Sequence, residues 1–178
     1  VNIVALESLH LGLPAISPAF GTFLAEACQV CLQAWGHQPG AVLSVRANPS
    51  QAFELRWEAY VSDQLARTWH DQQEATEYGA TAVGILLVTQ LTDYTVIRRS
   101  VKGTGFDYWL GDKRSAEALP FQECARLEVS GIFHGEEPLI RRRVKNKLQQ
   151  VQRSDHLGLP AIVVVTEFSR LRAYFEQI

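Results

Sequence analysis

Two acids set among apolar neighbours are the residues of this chain best placed to do chemistry. Asp107 stands in Lys102-Gly-Thr-Gly-Phe-Asp-Tyr-Trp-Leu110, a segment that reads as one strand turning into the next. Glu128 is the single acid of Ala125–Phe133, a further strand pattern. A carboxylate on a core strand is costly to bury unless a cation, a proton or hydrogen bonds compensate it. Two of them on adjacent strands point to a metal-dependent site. A structural role is also open to each: an Asp beside a glycine-rich turn accepts backbone N–H bonds, and Glu128 can pair with Arg126 or with an arginine of a neighbouring strand. The second feature is Arg141-Arg142-Arg143-Val144-Lys145-Asn146-Lys147, with Arg153 beyond it. These are six basic residues within thirteen positions and no acid among them. On a helix with an apolar stripe they crowd onto the outer face, which can track phosphates. That face can equally be solvated and balance Glu136 and Glu137, whose place near the helix N-terminus suits the dipole.

The elements that must hold these residues are read from periodicity. Ser17-Pro18 is a helix start, and Phe20, Phe23, Leu24, Ala27, Val30, Cys31 and Ala34 follow at helical spacing until Gly36 and Pro39. Val42–Ala47 and Phe53–Ala59 alternate as a hairpin with one wet face. Ser62–Leu91 is helical with a break near Trp69–Gln73, and Ala80–Val88 is apolar nearly all round, as in a helix buried between layers. Tyr94–Val101, Phe106–Leu110 and Ala125–Phe133 are strands, with a loop over Gly111–Pro120. Glu136-Glu137-Pro138 opens a helix with the stripe Leu139, Ile140, Val144, Leu148 and Val151. Ala161–Val165 is a β-branched strand buried on both faces, and Arg170–Ile178 is an amphipathic tail. His10–Ile16 recurs letter for letter as His156–Ile162, but the sequences that follow differ, so no duplicated domain is implied.

From Glu74 to about Phe168 the order is helix, strand, strand, strand, helix, strand. This resembles the PD-(D/E)XK superfamily of restriction-endonuclease-like nucleases, whose core has that order, an Asp on the second strand and Glu-x-Lys on the third. The resemblance implies an α/β fold with a mixed central sheet flanked by helices: a nuclease-like core over 74–178, with an N-terminal helix and β-hairpin over 1–73 packed on it. It implies Asp107, Glu128 and the Val129 carbonyl as ligands of Mg²⁺ or Mn²⁺, with Glu77, or Glu74 one turn earlier, assisting. Hard divalent ions prefer such oxygens and activate water for phosphodiester hydrolysis. Ser130 stands where the family has its lysine, so the missing cation is expected from Lys145 or Lys147 on the following helix, with Lys102 a weaker candidate. Arg141, Arg142 and Arg143 would grip the backbone. The implied function is a DNA endonuclease of a bacterial defence or mobile-element system. The alternative is a catalytically inactive, nuclease-derived module that binds nucleic acid or a protein partner.

Composition sets the remaining bounds. The chain has 178 residues, 47% of them hydrophobic, and a formal net charge of −2, so no global basic field announces a polyanion. Three cysteines argue against a disulfide framework and fit a reducing, cytoplasmic compartment. Cys28 and Cys31 have CxxC spacing with no second pair, and read as lining a helix. The five histidines show no ligand spacing. No secretory signal or membrane-length apolar run is present. The absence of methionine implies residues ahead of Val1. A homodimer, or a subunit of a larger assembly using Trp57, Trp69 and the hairpin edge, completes the expectations.

Overall fold

Ser17 accepts the Phe20 N–H at 3.2 Å and Pro18 takes the first helical position, so the chain enters α1, Pro18–Ala34, as those two residue types dictate. The computed structural model describes residues 2–58, 60–114 and 122–178. Its other helices are α2 (Asp63–Thr68), α3 (Gln72–Leu91) and α4 (Glu137–Val151). The strands are β1 (Asn2–Ala5), β2 (Ala41–Arg46), β3 (Gln51–Arg56), β4 (Tyr94–Arg99), β5 (Tyr108–Asp112), β6 (Ala125–Ile132), β7 (Ala161–Glu167) and β8 (Arg172–Gln177).

Among the described residues eight strands form one mixed sheet in the order β1-β3-β2-β8-β7-β6-β5-β4. The β6–β7 pair is parallel and is joined through α4, as a parallel pair requires. The β2–β3 hairpin continues the sheet, because β2 pairs in parallel with β8. Helices α1 and α3 cover one face, packed with Leu127, Val129, Ile162 and Val164. Helix α4 covers the other, where Ile140, Val144 and Val151 meet Ala161, Val163 and Val165. Each central strand thus buries both faces, which explains the unbroken Val run of β7. The fold class is therefore α/β with a mixed sheet flanked by helices.

Helix α3 is buried between α1 and the sheet. Cys28 and Cys31 line α1 there, and burial pushes the Cys31 thiol up to about 12. Three sequence expectations change. Arg170–Ile178 is not a tail but carries β8, paired along its length with β7. Gly111 and Asp112 belong to β5, while residues 115–120 of the expected loop lie outside the described ones. Trp57 and Trp69 are buried in the core, so they offer no interface, and β2 is not an edge strand.

The repeated heptapeptide has a local explanation. Each copy ends a six-residue 3₁₀ helix, Leu6–Leu11 or Gln152–Leu157, at its His-Leu pair. Each then places glycine at positive φ, 79° at Gly12 and 66° at Gly158, with its N–H on the carbonyl three residues back at 3.0 Å. The shared letters encode a helix stop.

Candidate functional site

The site forms where the sheet comes apart. β5 pairs with β6 only as far as Tyr108 opposite Leu127, yet β6 runs on to Ile132 beside β7. Asp107 fills the gap: its N–H donates to the Leu127 carbonyl at 2.8 Å, and its Oδ2 accepts the Val129 N–H at 2.9 Å. A residue in a strand directs its N–H and C=O to the same side, so the Val129 carbonyl also faces this notch. Side chains alternate along β6: Leu127 and Val129 pack toward α3, and Glu128 and Ser130 toward α4. The notch opens into a cleft of about 330 Å³. Glu77, Tyr78 and Thr81 of α3 form one wall, and Arg143 and Lys147 of α4 the other, with Arg99 at the end of β4 and Asp107 at the base.

Glu128 is 1% exposed and lies beneath Lys147. Its Oε1 accepts from Lys147 Nζ at 2.5 Å and from Gln150 Nε2 at 3.0 Å. Its Oε2 is buried and finds no hydrogen-bond donor among the described residues. The nearby Asp107 carboxyl is an acceptor too, so the two acids can meet only through a shared proton or a cation. Burial first, and the Asp107 charge second, push the Glu128 carboxyl from the usual 4.5 to about 7, against the lowering effect of Lys147. A carboxyl poised there can hold or release a proton near neutral pH. At Ser130 a cation arrives from α4, since Arg143 Nη1 donates to Ser130 Oγ at 2.9 Å and to the Gly131 carbonyl at 3.3 Å.

The turn that delivers Asp107 is pinned to α4. Gly105 has φ +88°, and a Cβ there would stand 2.6 Å from the Gln150 carbonyl oxygen, so only glycine lets the turn approach this closely. Gln150 Nε2 also reaches the Gly105 carbonyl at 3.4 Å, bridging turn and acid.

Of the residues read from the sequence, Asp107, Glu128, Val129, Glu77, Arg143 and Lys147 converge on the cleft or its base. Glu74 is exposed a turn further out on α3 and does not line the cleft; Lys145 is exposed, and so is Lys102 in the β4–β5 turn. Arg141 is held by Glu137 at 2.7 Å, and Arg142 faces solvent. Arg126 does not pair with Glu128. It is buried, spanning the Val151 and Leu159 carbonyls, Ser154 and Asp155. Arg99 was read in the sequence only as positive charge at the end of its strand, and Tyr78 and Gln150 went unnoticed; Gln150 lies one helical turn beyond Lys147, which is the signal that identifies it.

No group of three His, Cys, Asp or Glu able to hold a metal occurs among the described residues. The donors at the notch are two carboxylates and a carbonyl. Hard oxygens of this kind suit Mg²⁺ or Mn²⁺, and the donorless Glu128 Oε2 is an acceptor such an ion would satisfy. Among the described residues no helix is long and apolar enough to cross a membrane. Comparison with protein-family models, with curated proteins and with solved structures finds no significant match to this chain.

Proposed function

We propose that this chain is a divergent PD-(D/E)XK nuclease that hydrolyses phosphodiester bonds of DNA with Mg²⁺ or Mn²⁺. The observation that carries the proposal is Lys147, which brings an ammonium from α4 to Glu128, within the cleft that holds Asp107. It supplies the charge that Ser130 lacks. The order α3-β4-β5-β6-α4-β7 around it supports the same reading. Asp107, Glu128 and the Val129 carbonyl would hold the ion, which lowers the pKa of bound water and neutralises phosphoryl charge. The chain's own groups have distinct work. Arg143 and Arg99 face the cleft and can hold phosphate oxygens by charge-assisted hydrogen bonds. Lys147 can orient an attacking water and offset charge developing on the phosphate.

Plasmid nicking with Mg²⁺, Mn²⁺ or EDTA tests this, using wild type and Asp107→Ala. The expected outcome is cleavage that requires the divalent ion and is lost in the variant. A folded wild type that leaves supercoiled, linear and single-stranded DNA and RNA intact would sink the proposal. One arrangement favours the second reading, a silent nucleic-acid or protein-binding module. Glu128 is closed off by Lys147, and Arg143 occupies the Ser130 hydroxyl.

A further inference from the structure

The cleft does not end at Gly131. Glu77, Gly131 and Arg143 also line a second, wider hollow of about 550 Å³, whose far wall includes Gln73, Phe133 and His134. From Thr81 back to Gln73 is eight residues of α3, about 12 Å at the helical rise. The two hollows adjoin along Glu77, Gly131 and Arg143, and so offer a groove that leads away from the acids past the Arg143 guanidinium. Its near end carries Arg99, Arg143 and Lys147 beside the acids Glu77 and Asp107. Its far end carries fixed rings. The exposed His134 ring is held by Ser169 Oγ at 3.1 Å and lies 5.2 Å from the Trp35 ring at 32°. Phe133 packs on Trp35 from the same distance, and Trp35 is itself 37% exposed.

Cations at one end and an immobilised aromatic face at the other suit a phosphate chain with a base turned out of it. A duplex keeps its base faces stacked inside and presents phosphates and base edges, so a ring face serves only an unpaired base. The Gln73 amide on the wall gives one N–H to Glu77 Oε1 at 3.3 Å and leaves its carbonyl oxygen and second N–H for a base edge. We propose that the groove takes an unpaired strand of nucleic acid, with phosphates at Arg99 and Arg143 and one base lying on His134 and Phe133. This rests on the reading of the cleft as a phosphodiester site and names the form of its substrate.

The test is fluorescence anisotropy with labelled oligothymidylate and with the duplex of the same length, in EDTA. Wild type is expected to prefer the single strand. His134→Ala should weaken that binding about tenfold, as loss of one stacked base does, and His134→Phe, which keeps a flat ring, should restore it. Equal affinity for the duplex, no binding of either probe, an unaffected His134→Ala or no rescue by phenylalanine overturns the inference. The assay holds no divalent ion, so it stands apart from plasmid nicking. An inactive protein that binds single strands fails the hydrolysis proposal alone; an active one that prefers duplex fails this one alone.

Discussion

Glu128 is the residue at which stability and chemistry oppose one another. Its carboxyl is raised to about 7 in the folded chain and returns to about 4.5 when unfolded. A folded pKa above the unfolded one contributes stability that is complete below about 4.5 and is lost as pH rises through about 7. The cost above neutrality is about 3 kcal/mol. Glu128→Gln carries no such titration. Urea midpoints at pH 5 and pH 8 should therefore show wild type losing about 2–3 kcal/mol relative to the variant over that interval. A parallel pH dependence of the two proteins would contradict the burial that raises this group. Lys147 works in the other direction, since it favours the charged form. Removing it leaves a buried carboxylate without its partner, which is costly only where that carboxylate is ionised.

At the scale of elements, α4 sorts one basic run into separate tasks. Its buried positions Ile140, Val144 and Val151 define the face toward the sheet. Arg143 and Lys147 flank that stripe and lean into the cleft, while Arg141 turns to Glu137 and Lys145 to water. Lys147→Ala should lower cleavage by about 10²–10³-fold. Lys145→Ala should leave it within about twofold, as a substitution outside the cleft does. Equal losses in the nicking assay would remove Lys147 from its proposed role. The sequence reading left the two lysines open, although the apolar stripe fixes the helix phase and sets Lys147 nearer to it than Lys145. The element order from α1 to β7 was legible from periods of two and 3.6, while β1 was not read. β8 was not: Ala173 and Phe175 bury on one face and Tyr174 on the other, so it lacks the alternation that marks a half-exposed strand. Nor was the notch, since the point at which β5 stops pairing is a matter of register rather than composition.

At the scale of the molecule, residues 1–73 and 74–178 share one sheet and one core. β2 holds the outer edge of β8, and α1 covers α3 so closely that a Cβ on Gly79 would stand 3.0 Å from the Cys28 Cα. A fragment of residues 74–178 is therefore expected to lack cooperative unfolding and to expose apolar surface, as circular dichroism melts and dye binding would read. A sharp melt for the fragment would contradict the shared core. With Glu128 ionised, the cleft balances its own charge: Arg99, Arg143 and Lys147 stand against Glu77, Asp107 and Glu128, in a chain of net charge −2. Such an arrangement projects little field beyond its mouth. A polyanion bound as proposed would then arrive by unsteered diffusion, at about 10⁵–10⁶ M⁻¹s⁻¹, and added salt would shorten its residence far more than it slowed its arrival.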